Sequence, residues 1–321
     1  MKYRTLGRTG INVSEVSFGT WALGSPVYGS VGTSDAHRAI RGALDAGITF
    51  FDTAPLYGNK DEDGIAEKIL GQGLGADRDK VAIATKFGRY PTLGHMNTYF
   101  HAEGVTKSVE DSLRRLGTDR IDVLFFHSPQ SREQIHDDIW AALEKLKKSG
   151  KVRAVGHSIS WFPETQQAAR DWAAERKIDV IQVVYSLFYR ESEKLIADLG
   201  AAGIGVVARE SLANGFLGGA FTKDIVFPEG SLNARYSREE IIARVETADR
   251  YKALLVRRDI RSLAQAAMRW VLDNPNVSLV LAGSRKIEEI VDCAAASDAA
   301  PYSAAELAQA RALHTRDWAP A

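Results

Sequence analysis

The stretch GITFFDTAPLYGN, residues 47–59, joins a short apolar run to a polar turn. The run ITFF at 48–51 is typical of the end of a buried strand, and Asp52 follows it directly. Pro55 then turns the chain, and Tyr57 stands before a glycine. A carboxylate and a phenol contribute little to packing at the mouth of a strand, so their presence there indicates a functional site.

The same pattern, an apolar run followed by a segment with helical periodicity, occurs eight times. Most of the runs are continuously apolar rather than alternating, which is typical of parallel strands buried on both faces. Eight repeats favour a closed (β/α)8 barrel of the TIM type over the weaker alternative, an open doubly wound sheet. We expect strands at 16–21, 48–53, 81–86, 121–127, 153–158, 180–186, 204–210 and 278–283.

The helical segments between the runs carry boundary signals. Ser34 is a candidate N-cap for the first long helix, and Gly47 is a candidate C-terminal stop. A later segment ends at Gly117, and another ends at Gly150 after several lysines, which the helix dipole favours in a last turn. These signals support the alternation of strands and helices.

Two segments lie outside the repeat. Residues 3–16 alternate polar and apolar side chains around two glycines, which predicts an N-terminal β-hairpin that caps the floor of the barrel. Residues 214–237, after the seventh strand, are rich in Gly and Pro and form a long loop, which in a compact domain is usually functional or mobile. Because no linker divides the chain, we expect one barrel domain over residues 1–321.

Composition narrows the class of protein. The 321 residues are 45% hydrophobic and 26% charged, as in a soluble globular enzyme. The 41 basic and 41 acidic residues cancel, which argues against a nucleic-acid partner. Cys293 is the single cysteine, which suits a reducing cytoplasm, and no apolar run is long enough for a membrane span. We therefore expect a cytoplasmic protein; its oligomeric state is not readable.

Polar side chains stand where the apolar runs end. Active sites of such barrels lie at the carboxyl ends of the strands, so the fold would gather these side chains at one mouth. Each alone has a structural explanation, such as a surface lysine or a core histidine. Four ionisable groups at neighbouring strand ends would, however, lose hydration without a gain in packing. The side chains are Asp52 with Tyr57 in its loop, Lys86, His127, Ser158, Gln182 and Arg209.

The four ionisable groups suit carbonyl chemistry. A tyrosine exposed to water has a pKa of about 10, and lowering the pKa of Tyr57 to about 7 requires about 4 kcal/mol. A lysine ammonium roughly 4 Å away supplies that amount at an effective dielectric constant near ~20. Asp52 would keep Lys86 charged, and His127 would donate to the same oxygen or relay a proton. Such a phenol protonates an alkoxide as it forms, but none of the four can supply a hydride, so a cofactor must.

Three motifs resemble those of a known family. FFDTAPLYG, ATK and FFHSP are similar to the Asp, Tyr, Lys and His motifs of the aldo-keto reductases, and RTLGRTGINVSEVSFGTW resembles the opening of bacterial members. The resemblance runs from about residue 3 to about residue 295. It implies an (α/β)8 barrel that binds a nicotinamide cofactor without a Rossmann motif and without a metal. It also implies Tyr57 as general acid, tuned by Lys86 and Asp52, with His127 orienting the carbonyl.

The resemblance further implies cofactor positions, with some departures. Ile159 stands where the family has an amide beside Ser158, Arg209 stands where an aromatic side chain often stacks on the nicotinamide, and Cys293 departs from the usual adenine contacts. Arg285 and Lys286 at a helix start would attract a 2′-phosphate, which predicts NADP(H). The expected cofactor-binding residues are Trp21, Ser158, Gln182, Arg209, Ser211, Leu212, Asn214, Gly215, Leu217, Gly283, Ser284, Arg285, Lys286, Glu289 and Asp292.

The resulting expectation is an NADP-dependent reductase of aldehydes or ketones, including sugar carbonyls. The reverse reaction, oxidation of an aldose or alcohol, stays open. Less favoured alternatives are an aldolase with Lys86 as Schiff-base lysine and a regulatory subunit that binds the cofactor without turnover. We expect the substrate pocket to include Trp21, Phe87, Tyr90 and the loop at 92–103, together with the segment after the seventh strand.

Overall fold

The structure is a computed structural model that describes residues 1–24, 32–94, 99–159 and 163–314. The strands in this part of the chain are β1 (Tyr3–Thr5), β2 (Asn12–Ser14), β3 (Val16–Gly19), β4 (Phe50–Asp52), β5 (Ala82–Phe87), β6 (Ile121–His127), β7 (Val152–Ser158), β8 (Val180–Val184), β9 (Gly205–Arg209) and β10 (Leu279–Ala282).

Strands β3 to β10 close into a parallel barrel, in which β10 pairs with both β9 and β3. Each of the eight predicted strands overlaps one of these, so the predicted (β/α)8 barrel is confirmed. The barrel interior is filled by apolar side chains such as Phe50, Val123, Phe125 and Val207. Outward-facing side chains of the same strands pack against the helices, which is why the strands read as continuous apolar runs.

The helices of the described residues surround the barrel. They are α1 (Trp21–Gly24), α2 (Thr33–Asp45), α3 (Ile65–Leu74), α4 (Ala102–Leu116), α5 (Ile139–Lys148), α6 (Pro163–Ala174), α7 (Glu193–Ala201), α8 (Arg238–Leu255), α9 (Leu263–Leu272), α10 (Ile287–Ala295) and α11 (Ala304–Ala312).

The predicted helix ends are confirmed, but one predicted helix start is wrong. Gly47 and Gly117 follow α2 and α4 with φ of 82° and 63°, the left-handed conformation that glycine adopts without a steric penalty. The N-cap of α2 is Gly32, whose backbone is extended and which makes no side-chain cap bond. Ser34 therefore lies inside the first turn, because the helix begins two residues earlier than its serine suggested.

The N-terminal hairpin closes the floor of the barrel, as predicted. β1 and β2 pair antiparallel, and Leu6, Ile11 and Val13 pack among the apolar side chains of the barrel interior. A Cβ on Gly7 would lie 2.2 Å from the backbone nitrogen of Gly205, so the turn of the hairpin touches the start of β9. The floor is sealed by apolar packing, which leaves the carboxyl ends of the strands as the open side.

The long loop between β9 and α8 has a small core of its own. Phe216 is buried, and its ring centroid lies 5.3 Å from that of Phe221 and 6.0 Å from that of Phe227. The guanidinium of the buried Arg244 in α8 lies 4.1 Å from the ring centroid of Tyr236. The loop therefore covers its own apolar side chains and packs on α8.

Candidate active site

Asp52, Lys86 and Tyr57 meet at the carboxyl ends of β4 and β5. Lys86 Nζ donates to Asp52 Oδ1 at 2.6 Å, to the Thr53 carbonyl oxygen at 2.9 Å and to Tyr57 Oη at 3.0 Å. Asp52 pairs with Ala84 in the parallel ladder, which places its side chain beside that of Lys86 two residues on. Both charged side chains are buried, so their mutual bond and their bonds to neighbouring polar groups replace the lost hydration.

Tyr57 reaches Lys86 from a loop rather than from a strand. Its amide donates to the Ala54 carbonyl at 3.0 Å, and its carbonyl accepts from the Ala66 amide in α3 at 2.9 Å. A Cβ on Gly24 would lie 2.3 Å from the Tyr57 carbonyl oxygen, so only glycine fits beside this loop. The backbone of Tyr57 is thus held by α3, and its hydroxyl contacts Lys86.

The electrostatics of Tyr57 differ from the expectation. Burial raises the pKa of Tyr57, and although Lys86 lowers it, the negative charge of Asp52 raises it further. The net pKa lies above the ordinary value, so the expected shift towards 7 is wrong in direction. Burial lowers the pKa of Lys86, but Asp52 and Tyr57 outweigh burial and hold it above its ordinary value. The expectation of a lowered pKa for Tyr57 considered only its distance from Lys86. It omitted the desolvation of the phenol and the negative charge of Asp52.

His127 lies at the end of β6, facing Tyr57. The two ring centroids are 6.0 Å apart and nearly perpendicular, at 86°. Burial, and then the positive charges of Lys86, Arg89 and Arg209, place the pKa of His127 well below its ordinary value. The ring is therefore neutral near pH 7, and its buried Nδ1 has no hydrogen-bond partner among the residues that the structure describes. The four residues of the predicted catalytic set are brought together.

A chain of hydrogen bonds extends from Asp52 along the mouth. Gln182 Nε2 donates to Asp52 Oδ2 at 2.8 Å, and Ser158 Oγ donates to Gln182 Oε1 at 3.3 Å. Ser128 Oγ lies 3.3 Å from Ser158 Oγ and extends the chain to β6. Sequence reasoning missed Ser128 and the Thr53 carbonyl, although each residue directly follows a predicted site residue, which was the available signal.

Arg209 and Trp21 line the same mouth. Arg209 pairs with Glu210, and its Nη2 donates to the Ile159 carbonyl at 3.2 Å. Its Nε is buried, and residues 1–24, 32–94, 99–159 and 163–314 provide no hydrogen-bond partner for it. The ring of Trp21 lies 6.4 Å from that of Tyr57. Ser158, Gln182, Arg209 and Trp21 are therefore gathered around the four ionisable side chains.

The predicted cofactor residues after β9 have internal roles. Ser211 Oγ donates to the Tyr185 carbonyl at 3.2 Å, and Leu217 is buried in the core. Leu212 packs against that core from a half-buried position. Asn214 and Gly215 have positive φ, 56° and 96°, and they turn the chain at the edge of the mouth.

The predicted phosphate-binding residues lie between β10 and α10. Gly283 is exposed, Arg285 is half-buried, and the amide of Lys286 donates to Ser284 Oγ at 3.1 Å. Glu289 accepts from Ser284 Oγ and pairs with Lys286 Nζ at 3.0 Å.

Asp292 has partners in the neighbouring helix. It accepts from Ser262 Oγ and, at 2.6 Å, from Gln265 Nε2, so it connects α10 to the start of α9. The cofactor role predicted for Asp292 stays a prediction, and Cys293 beside it is buried.

The expected placement of Phe87 in the substrate pocket is wrong. Phe87 is fully buried between the rings of Phe100 and Phe126, with centroids 5.7 and 4.7 Å away, so it belongs to the helix-facing side of β5. Tyr90 is half-buried, and the side chains that act on its pKa are Ser108 and Arg115 of α4 and Glu67 of α3, so its place in a substrate pocket stays a prediction. Of the loop at 92–103, residues 95–98 lie outside the described residues.

The described part of the chain offers neither a metal site nor a membrane span. It holds no group of three or more His, Cys, Asp or Glu side chains that could bind a metal ion. None of its helices is long and apolar enough to cross a membrane.

Comparisons with known proteins agree with this geometry. The family model for the aldo/keto reductases matches residues 15–315. The aldo-keto reductase YhdN of Bacillus subtilis is 30% identical over 292 residues, covering 89% of this chain and 86% of that protein. The L-galactose dehydrogenase of Arabidopsis thaliana is 32% identical over 304 residues, covering 92% and 88%.

A solved structure with a similar fold is a glycerol dehydrogenase from Gluconobacter oxydans. It superposes with a TM-score of 0.83 at 28% identity, covering 97% of this chain and 94% of that one. The family match spans the whole barrel, and the predicted motifs lie within it at one mouth. This chain therefore belongs to the aldo/keto reductase family of oxidoreductases.

Proposed function

We propose that this protein reduces aldehydes and ketones, including sugar carbonyls, with NADPH as hydride donor and Tyr57 as general acid. The observation that carries the proposal is the 3.0 Å contact between Tyr57 Oη and Lys86 Nζ, in which the lysine is paired with Asp52. A protonated phenol beside a fixed ammonium suits the delivery of a proton to an alkoxide as it forms.

The protonation states of Tyr57 and Lys86 fit reduction near neutral pH. Because burial raises the pKa of Tyr57, its hydroxyl is protonated and can donate to the substrate oxygen. As that oxygen gains charge, the O–H bond of Tyr57 breaks and a new O–H bond forms on the alkoxide. The ammonium of Lys86 then stabilises the phenolate, and Asp52 keeps that ammonium charged, since it holds the pKa of Lys86 high.

His127 is suited to orient the carbonyl. Its low pKa leaves one N–H on the neutral ring. A buried N–H without a partner is more costly than an unused lone pair, so the proton belongs on Nε2 rather than on the unpartnered Nδ1. Nε2–H then donates to the substrate oxygen beside the Tyr57 hydroxyl. Two donors on one oxygen fix the carbonyl and favour the charged transition state.

The residues of the mouth fit a nicotinamide dinucleotide. When bound, its reduced ring supplies the hydride that no side chain can provide. Ser158 and Gln182 are paired in register on β7 and β8 and present a hydroxyl and an amide, which suit a carboxamide group. The buried Nε of Arg209 is a further donor that has no partner in the described part of the chain.

NADP(H) is favoured over NAD(H) by the start of α10. Arg285 and Lys286 lie there, and among the described residues no side chain caps the first backbone amides of this helix. Such a site attracts a phosphate group. Lys286 pairs with Glu289 and would exchange this carboxylate for the 2′-phosphate.

Oxidation of an alcohol or aldose is the second candidate, because two of the similar proteins are named dehydrogenases. Oxidation needs Tyr57 as the phenolate base, and its raised pKa makes that form rare at neutral pH. The oxidation rate should therefore increase with pH well above neutrality, whereas the reduction rate should not.

The two remaining alternatives receive less support. A Schiff-base aldolase needs a neutral lysine nucleophile, but Asp52 lies 2.6 Å from Lys86 Nζ and raises its pKa. A regulatory subunit has no need of a phenol held on a charged lysine. Both would still require an explanation of the buried ion pair.

The test is a substrate screen that follows NADPH absorbance in both directions. We expect reduction of aldehydes, ketones or open-chain sugars at neutral pH, with Tyr57→Phe as the inactive control. Cofactor binding without turnover of any carbonyl or alcohol, in wild type and variant alike, would contradict the proposal and favour the regulatory alternative.

A further inference from the structure

A buried polar network lies behind β5, on the side of the barrel wall away from the active site. Glu67, in the first turn of α3, is fully buried. Its Oε1 accepts from Thr85 Oγ1 at 2.5 Å, and its Oε2 accepts from Arg115 Nε at 2.6 Å. Thr85 directly precedes Lys86 in β5, and Arg115 lies in the last turn of α4. The network therefore connects α3, β5 and α4.

The phenol depends on α3 for its position. Lys86 is held by the hydrogen-bond ladder of β5, whereas Tyr57 lies in the loop before α3. That loop is attached to the start of α3, where the Ala66 amide donates to the Tyr57 carbonyl at 2.9 Å and the Gly64 amide donates to the Pro55 carbonyl at 2.7 Å. The placement of α3 on β5 thus sets the distance from Tyr57 Oη to Lys86 Nζ.

The network is a costly way to attach a helix. A buried ion pair loses much hydration, and apolar side chains of similar volume would hold α3 at least as firmly. The chain also makes room for the pair, since a Cβ on Gly64 would lie 2.3 Å from Arg115 Nε and 2.5 Å from Glu67 Oε2. Directional hydrogen bonds fix where α3 lies along β5, which non-directional apolar contact does not.

We propose that Thr85, Glu67 and Arg115 are positioning residues that hold the Tyr57 hydroxyl at Lys86 through the first turn of α3. The inference rests on the proposed function, in which Tyr57 is the acid. A displacement of about 1 Å at a reacting group reduces the rate by up to about 100-fold. A displacement of the Tyr57 hydroxyl by a few tenths of an ångström should therefore reduce the rate measurably.

The main test compares Thr85→Val, which keeps the shape but loses the hydroxyl, with Thr85→Ser, which keeps the hydroxyl. We expect the single-turnover rate of NADPH oxidation to fall about tenfold in the valine variant and to be restored by serine, with NADPH affinity unchanged in both. The apparent pKa of the acid should rise in the valine variant, since a phenolate farther from Lys86 is less stable. A purely structural role would lower Tm without moving this pKa.

The variants are then repeated in a Tyr57→Phe background, where Thr85→Val should cause no further loss. Thr49→Val is the matched control, because it removes a hydroxyl that bonds the Ser14 amide at the other end of the barrel. It should lower Tm and leave the rate unchanged. If Thr85→Val does not fold, Glu67→Gln takes its place with the same expected rate loss and pKa shift.

Three results are decisive. A folded Thr85→Val or Glu67→Gln enzyme with the wild-type rate and pH profile would overturn the proposed positioning role. The role would also be overturned if Thr85→Val reduced the rate by the same factor in the Tyr57→Phe background as in the wild type. A Tyr57→Phe enzyme with wild-type rate would instead overturn the proposed function. The two failures are therefore distinguishable.

Discussion

The two ends of the barrel bury charged side chains in different ways. At the start of β6, Asp122 is buried and accepts from Arg78 at 2.9 Å, from Arg153 at 2.7 Å and from the Ile83 amide at 2.8 Å. Both carboxylate oxygens are satisfied, and the bonds join β6 to β5, to β7 and to a 3-10 turn at Gly75–Lys80. At this end, the floor of the barrel, the buried charge of Asp122 has all of its hydrogen bonds satisfied.

At the mouth, which lies at the carboxyl ends of the strands, some hydrogen-bond networks are incomplete. Within the described part of the chain, the buried atoms Thr53 Oγ1, His127 Nδ1 and Arg209 Nε have no hydrogen-bond partner there. Ser128 and Glu210, just after β6 and β9, have φ of 48° and 56°, which is uncommon for residues other than glycine. Unsatisfied atoms and left-handed backbone each cost about 1–3 kcal/mol. The floor therefore holds its charges in satisfied hydrogen bonds, whereas the mouth carries local costs that binding of the proposed ligands would offset.

The largest effect is expected at Tyr57. Tyr57→Phe removes one hydroxyl and keeps the ring, so folding and NADPH affinity should barely change. Carbonyl reduction should fall by roughly 10²–10⁴-fold, which is typical of losing a positioned acid. Single-turnover NADPH oxidation and fluorescence binding measure the two quantities. Wild-type single-turnover rates would mean that the mouth has been misinterpreted.

Lys86→Met should also reduce turnover strongly, since it removes the ammonium and leaves Asp52 buried without its cation. Because both residues serve one proton transfer, the double variant should lose much less than the product of the two single losses. The same single-turnover assay measures the coupling. Fully multiplicative losses would indicate that Lys86 and Tyr57 act separately.

At the floor, the expected effect is on stability alone. Asp122→Ala leaves Arg78 buried without its carboxylate, which should cost about 3 kcal/mol of unfolding free energy. Asp119→Ala, whose side chain is 87% exposed, is the matched control and should change stability by less than about 0.5 kcal/mol. Urea unfolding and kcat of the folded variants test both. If kcat fell as much in Asp122→Ala as in Tyr57→Phe, the floor would not differ from the mouth in its contribution to catalysis.

A smaller effect is expected at the start of α10, where we propose that the 2′-phosphate binds. Arg285→Ala should weaken NADPH binding by more than about tenfold relative to NADH, because a charge-assisted bond to a phosphate is worth roughly 1.5–3 kcal/mol. Arg311→Ala, at an exposed position of α11, is the control and should affect neither cofactor. Fluorescence titration measures both affinities. Equal losses for NADPH and NADH would contradict the assignment of a 2′-phosphate site.

The smallest effect concerns His157, on the helix-facing side of β7. Burial lowers the pKa of His157 to about 3, and neither ring nitrogen has a hydrogen-bond partner among the described residues. With an unfolded pKa near ~6.5, the unfolded state binds the proton first, so stability is lost as pH falls below that value, by about 1.4 kcal/mol per unit. His157→Phe should show a shallower loss between about pH 6.5 and about 4.5 in urea unfolding. Parallel curves for the two proteins would exclude His157 as a source of acid sensitivity.

The barrel and its catalytic candidates were predictable because they follow local rules. Continuous apolar runs at β4, β5 and β6 indicated buried parallel strands, and the polar residue that ended each run had to lie at the mouth. Asp52, Lys86 and His127 could therefore be placed without knowing any distance. The glycines that end α2 and α4 were readable for the same reason, since a left-handed residue is a local requirement.

Tertiary structure alone decided how these groups act on one another. The pKa of Tyr57 depends on burial and on Asp52 as much as on Lys86, and desolvation is a property of the assembled site rather than of the motif. Likewise, Glu67 and Arg115 are 48 positions apart, and no periodicity indicates that Thr85 completes their network. Sequence by itself determined which side chains reach the mouth, because strand ends are local. Their energies and long-range partners were decided by the fold, because hydration and side-chain contacts exist only once distant segments have packed.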